Sequence, residues 1–247
     1  MIKVNAVWEE RNLGVSTTEI TIEKTDTPEY VAEQLSLVES QYSVVKIPSE
    51  MREILKTVQS NGYEFIEDMI HVEHDLNEVE MNRVLKRLYE KTSYRKMTDA
   101  DFELLQSEIE KGMFDNDRIS NDSYFEKGIS SRRYMNWTKD LRDRGALFFV
   151  ITYGDEGVGF VVLDKKDEKT YYSVLGGGYE KYRKSGIGII QKEPEITRKL
   201  GGKRLVTSVS SNNVGQLKAL IMNGYKPYAI DHVLIKHKSS GDMSSMN

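Results

Sequence analysis

The sequence predicts a mixed α/β (α+β) fold, in which a mainly antiparallel central sheet is flanked by helices and preceded by a small amino-terminal α/β unit. Three observations carry this prediction. Strand-like runs at 146–153, 158–163 and 170–178 follow one another across short turns, which makes them antiparallel neighbours. Apolar residues at helical spacing, such as Phe102, Leu105 and Ile109, precede that block. Ahead of both, short strand-like and helix-like segments alternate.

In chain order, a strand is expected at 19–23. Thr27 and Pro28 announce a helix as N-cap and first helical residue, and Val31, Leu35 and Val38 follow at helical spacing. Residues 42–47 are rich in strand formers. Pro48-Ser49 is expected to cap a helix with the stripe Met51, Ile54, Leu55 and Val58, ending at Asn61-Gly62. Residues 63–72 read as another strand. The acidic segment 75–80 marks a boundary, giving a unit of residues 1–78 and a second domain of residues 79–238. The polar, Ser-rich tail 239–247 is expected to be disordered.

The second domain opens with the helical residues Val84, Leu85 and Leu88, then a capping-box-like pair, Thr98 and Asp101. After a polar loop, Tyr134, Trp137 and Leu141 share one helical face. The strand block follows. A helical stretch to Leu200, a strand at 204–209, a helix at 213–223 and a strand at 229–235 complete the chain. Pro194 is expected to kink the first of these helices.

With 38% hydrophobic and 30% charged residues, the chain has the composition of a water-soluble globular protein. No apolar run is long enough to span a bilayer, and the first residues lack a signal-peptide layout, so no membrane partner and a cytoplasmic location are expected. The absence of cysteine excludes disulfides, thiol nucleophiles and thiolate metal sites. A net charge of −4 argues against nucleic acid as a partner. His71 and His74 would project to opposite faces of a strand, so no metal site is expected.

A strand that runs into glycines, followed by a basic glycine loop and a helix, is suited to holding phosphate. The first amides of a helix lack intrahelical acceptors, and the helix dipole favours an anion there. Gly186 and Gly188 would let the backbone approach a pyrophosphate, and Arg183 and Lys184 add positive charge. Gly176, Gly177 and Gly178 read either as a flexible turn or as a strand end where a bulge or ligand comes close.

The run Arg183-Lys184-Ser185-Gly186-Ile187-Gly188 resembles the coenzyme A loop of the GNAT acetyltransferases, Gln/Arg-x-x-Gly-x-Gly/Ala. Asn213, eleven residues before Gly224-Tyr225, is similar to that family's Asn, helix and Gly-Phe closing segment. The resemblance implies a GNAT-like fold, acetyl-CoA as cosubstrate, no metal and a small-molecule amine as acceptor, and a homo-oligomer is compatible with it. It implies that the loop 183–188 holds the pyrophosphate, the strand end Gly176–Gly178 holds the pantetheine, and Asn213 contacts the cofactor. A bulged amide in that strand would polarise the thioester carbonyl. A wider resemblance runs from Trp8-Glu9-Glu10-Arg11-Asn12-Leu13-Gly14 through Met113-Phe114-Asp115-Asn116-Asp117-Arg118 to Tyr134 and Trp137. These segments resemble TDP-fucosamine acetyltransferase and its relatives, which acetylate the amine of a nucleotide-linked amino sugar. By that likeness Arg118, Tyr134 and Trp137 are candidates for the acceptor site, although aromatics at that spacing more often belong to a core.

One position departs from the family pattern. Many GNAT enzymes carry a Tyr seven residues after the Asn as general acid, and here that residue is Leu220. Tyr179 is the substitute candidate for the acid and Glu180 the candidate base, with water able to serve in either role. Leu220→Tyr is expected to leave activity unchanged or raise it. The competing readings are a non-catalytic acyl-CoA-binding regulatory module, and an enzyme acting on an amino acid, peptide or antibiotic amine.

Overall fold

The computed structural model describes residues 1–81, 83–114, 117–183 and 188–238, apart from the side chains of Val84 and Leu85. The tail expected to be disordered lies outside the described residues. The amino-terminal part runs β1 (Ile2–Asn5), α1 (Val7–Leu13), β2 (Thr17–Thr21), α2 (Pro28–Ser36), β3 (Tyr42–Pro48), α3 (Arg52–Ser60) and β4 (Glu64–His74). It is followed by α4 (Arg83–Lys91), β5 (Thr92–Lys96), α5 (Asp99–Glu110), α6 (Arg118–Asn121) and α7 (Ile129–Asp143). The remainder is β6 (Leu147–Tyr153), β7 (Glu156–Lys165), β8 (Thr170–Gly178), α8 (Lys192–Lys199), β9 (Arg204–Ser210), α9 (Val214–Met222) and β10 (Lys226–His237).

Local signals set several of these boundaries. Thr27 accepts the Tyr30 amide at 3.3 Å with Pro28 in the first turn of α2. Thr98 and Asp101 close a reciprocal capping box on α5. α3 differs from expectation, because it starts at Arg52 and Met51 is its N-cap. The Ser49 amide instead donates to the Ile230 carbonyl of β10 at 2.9 Å, which holds this stretch against the sheet. Pro194 imposes no kink, since it lies in the first turn of α8, where a backbone N–H has no intrahelical acceptor. β1, α1 and β5 were not anticipated. α1 buries Glu9 and Asn12 instead of an apolar stripe.

All ten strands among the described residues belong to one sheet, ordered β1-β2-β3-β10-β4-β9-β8-β7-β6-β5. Pairing is antiparallel except for β2–β3 and β8–β9. β10 lies between β3 and β4, and β4 pairs with β9 on its other side. Strands from either side of residue 78 therefore alternate, and residues 1–78 form no sheet of their own.

Helices cover both faces. On one, α2 and α3 bury Val31, Leu35, Ile54 and Val58 against Val45, Ile47 and Leu234. On that same face α8 and α9 bury Ile196 and Leu220 against Val72, Val161 and Leu205. On the other face α5 and α7 bury Leu105, Ile109 and Leu141 against Phe160 and Val162, and Leu13 and Ile119 cover Tyr42, Val44 and Val233. Each fully buried Leu or Ile contributes roughly 1.5–3 kcal/mol. These two layers hold β8 and β9 in place, and the site forms between them.

Candidate active site

β8 and β9 run parallel but are paired only from Thr170 to Tyr172 and from Arg204 to Val206. Thr207 Oγ1 then donates to the Ser173 carbonyl at 2.7 Å. Past this crotch β8 continues to Gly178 on β7, while β9 continues to Ser210 on β4. The two strands part and leave a cleft. Successive strand peptides point to opposite edges, so alternate amides of residues 174–178 face it.

The β7–β8 register shifts between the pairs Val162–Leu175 and Leu163–Ser173, leaving Val174 as the extra residue of a β-bulge. The bulge therefore precedes the glycines. Gly176, Gly177 and Gly178 stay in regular pairing opposite Val161, Phe160 and Gly159, and none has a positive φ. They are strand, not turn. A Cβ on Gly159 would sit 2.4 Å from the Gly177 carbonyl oxygen, so the two strands approach too closely there for any side chain.

Glu193 of α8 is buried beside this strand. Its Oε1 would lie 3.2 Å from a Cβ on Gly176, and its Oε2 accepts a 2.7 Å hydrogen bond from Tyr225 Oη. Burial pushes this carboxyl up to about 7, opposed by hydrogen bonds from Tyr225 and Ser173. On β9, Ser208 Oγ is 2.8 Å from His71 Nδ1, and Ser210 Oγ donates to Glu67 Oε2 at 2.5 Å. Burial raises the Glu67 carboxyl, with the Ser210 bond opposing it. No spacing in the sequence signalled these partners, which come from α8, β4, β9 and the residue that leads into β10.

No protein-family model matches the sequence, and no curated protein matches it. Solved structures match its fold. A functionally unknown conserved protein from Staphylococcus epidermidis aligns at a TM-score of 0.61 and 12% identity, over 91% of this chain and 85% of that one. A GCN5-related N-acetyltransferase from Sphaerobacter thermophilus aligns at 0.55 and 15% identity, over 85% of this chain and 64% of that one. A GCN5-related N-acetyltransferase from Kribbella flavida aligns at 0.53 and 11% identity, over 92% and 84%. The fold is that of the GNAT acetyltransferases.

Within this GNAT fold the residues expected from the sequence divide into several groups. Lys184, Ser185, Gly186 and Ile187 lie outside the described residues, as do Asp115 and Asn116. Arg183 bonds the Glu180 carboxylate and the Met113 carbonyl, both at 3.0 Å, and is half-exposed. A Cβ on Gly188 would meet the Gln191 side chain at 2.6 Å, and Gln191 Oε1 is buried without a hydrogen-bond partner among the described residues. α8 begins only at Lys192, so Gly188 precedes its first turn. Asn213 caps α9, with Oδ1 accepting the Gln216 amide at 3.2 Å and Nδ2 donating to Gln216 Oε1 at 2.8 Å.

Tyr179 packs away from the cleft. Its ring stacks on Phe160 within the layer under α5, its hydroxyl is buried without a partner among the described residues, and burial raises its pKa. Glu180 is exposed and paired with Arg183, and its amide donates to Glu108 Oε2 at 2.7 Å. Arg118 is buried between Glu9 and Glu19, at 2.9 Å from each. Burial pushes Glu19 up, but Arg118 and Lys46 outweigh it and bring it to about 2. Tyr134 stacks on Phe114 with ring centroids 4.4 Å apart, and Trp137 lies 5.7 Å beyond. Leu220 points into the core beside Ile196, Val209 and Tyr225. His71 and His74 do take opposite faces of β4, since His74 packs on Tyr225.

Alternate strand amides turned toward this cleft are the groups that could bond the amide-bearing pantetheine arm of coenzyme A. Among the described residues no group of three metal-binding side chains gathers, and no helix is long and apolar enough to cross a membrane.

Proposed function

We propose that the protein is an acetyl-CoA-dependent N-acetyltransferase that acetylates a primary amine. The cleft between β8 and β9 carries this reading. A pantetheine arm bears amides, and an unpaired strand edge binds such a chain much as it binds an added strand. A backbone N–H left unpaired by the bulge at Val174 would serve as a donor to the thioester carbonyl as it gains charge, which supports this reading. The amine attacks the acetyl carbonyl carbon, the carbon–sulfur bond breaks, and coenzyme A leaves as a thiolate that takes a proton from water.

For the acceptor we propose a small amine and keep the nucleotide-linked amino sugar as the case to test. Arg118 is withdrawn from that role, because Glu9 and Glu19 already occupy its guanidinium. Tyr134 and Trp137 stay candidates through the sequence likeness alone, since both pack in the α5–α7 layer that also holds Tyr179. Titration calorimetry with coenzyme A and thioester consumption over a panel of amines test the reading. Binding and turnover are expected, with binding lost in Gly188→Val, whose side chain would block the approach of the backbone to the pyrophosphate. Absence of coenzyme A binding at millimolar concentration would overturn the function. Binding without turnover of any amine would favour a regulatory acyl-CoA-binding module.

A further inference from the structure

One polar cluster near the crotch has no part in holding the cofactor. Resting on the function proposed above, we infer that Ser208, His71 and Asp231 form a proton relay that deprotonates the acceptor amine. His71 Nε2 lies 2.8 Å from Asp231 Oδ2, and Nδ1 lies 2.8 Å from Ser208 Oγ. The carboxylate can only accept, so Nε2 carries the proton and Nδ1 accepts from the Ser208 hydroxyl. Tyr172 Oη donates to the same Oγ at 3.4 Å. One lone pair of Ser208 is then left for an incoming N–H.

The placement follows from the register. Tyr172 and Val206 are the last β8–β9 pair, and Ser208 stands two residues further along β9, just past the crotch. His71 is its direct partner on β4, and Asp231 reaches His71 from β10. His71 and Asp231 are each 23% exposed, so the cluster can be reached by a ligand. The other titratable and charged groups facing it are Tyr228 and Tyr172, Lys166 over the Tyr172 ring, and the Arg204–Glu73 pair beside Tyr228. A proton of the bound ammonium passes to Ser208 Oγ while the Ser208 proton passes to His71 Nδ1, the nitrogen lone pair so freed attacks the acetyl carbon, and the second nitrogen proton leaves to water as the amide forms. The imidazolium, held by Asp231, then releases its proton to water. Ser208 touches the acceptor, and His71 and Asp231 act through it.

The test uses two acceptors, butylamine, which is protonated near neutral pH, and hydroxylamine, which is not. In His71→Gln and Ser208→Ala, coenzyme A affinity should stay within a few-fold of wild type by calorimetry. Turnover of butylamine should fall by about 10²-fold or more, hydroxylamine by less than tenfold, and the acid limb of the butylamine pH profile should flatten in His71→Gln. Asp231→Asn should show a smaller loss with the same preference for hydroxylamine. Equal losses on both amines, or no loss, overturn the relay and leave the acetyltransferase reading standing. A wild type that binds coenzyme A but turns over neither amine removes the step and overturns the relay. Failure to bind coenzyme A overturns the function itself and this inference with it.

Discussion

Tyr225 Oη donates a 2.7 Å hydrogen bond to Oε2 of Glu193, tying the residue that leads into β10 to the first turn of α8 beneath the β8 glycines. Both side chains are buried. The folded-state pKa of Glu193 is raised from an ordinary 4.5 to about 7, so its contribution is fully present below pH 4.5 and is lost as pH rises through about 7. That loss is roughly 3 kcal/mol for this one group. Glu193→Gln mimics the protonated form and should remove the difference. Thermal melts of both proteins across this window check it, and parallel curves would contradict it.

Glu9 is the shared counter-ion of two buried guanidiniums. Arg118 and Arg133 bond it at 2.9 and 2.6 Å. Burial pushes its carboxyl up, but the two arginines outweigh this and hold it below the usual range. Glu9→Gln should destabilise the fold by about 1–3 kcal/mol, because Arg118 and Arg133 lose their shared buried counter-ion and keep only Glu19 and Asp117. Urea unfolding measures this. Unchanged stability with a raised acceptor KM would instead return Arg118 to the substrate site.

Leu220→Tyr should destabilise the fold by about 1–3 kcal/mol and not raise acetyl transfer. The sequence alone predicts a harmless or helpful change, but Leu220 is 1% exposed and packed among Ile196, Val209 and Tyr225. A tyrosine there has no room for its ring. A gain in turnover with unaltered melting would refute this.

Gly159→Ala should weaken coenzyme A binding at least tenfold and lower stability by about 1–3 kcal/mol. The new Cβ would face the Gly177 carbonyl at 2.4 Å and Ile189 Cδ1 at 2.7 Å, and a backbone oxygen cannot move aside cheaply. β8 would be pushed away from β7, toward the cleft on its other edge. Gly215→Ala in α9 is the control, since nothing lies within 4 Å of its Cβ, and it should stabilise by about 0.5–1 kcal/mol. Calorimetry on both variants decides.

Elements governed by neighbouring residues were legible in the sequence. Thr27-Pro28 and the Thr98–Asp101 box start their helices because capping is local, and the short turns of 146–178 make three strands antiparallel for the same reason. α1 and β5 were missed because their burial does not follow an apolar period: Glu9 and Asn12 are buried, while the side chains of β5 are mostly exposed. The bulge falls at Val174, a residue without special backbone needs, and was displaced in the reading to the glycines beside it.

The sequence by itself determined the fold class, the antiparallel block and a basic glycine loop following a glycine-ended strand. Only the tertiary structure decided that β10 inserts between β3 and β4, and so that His71, Ser208 and Asp231 meet across three strands. It likewise decided that Glu193 lies under Gly176 and that Arg118 is shut between two carboxylates. The reason is that register and strand order depend on distant pairing. A sheet covered by helices on both faces lacks the clean alternation that would reveal them in advance.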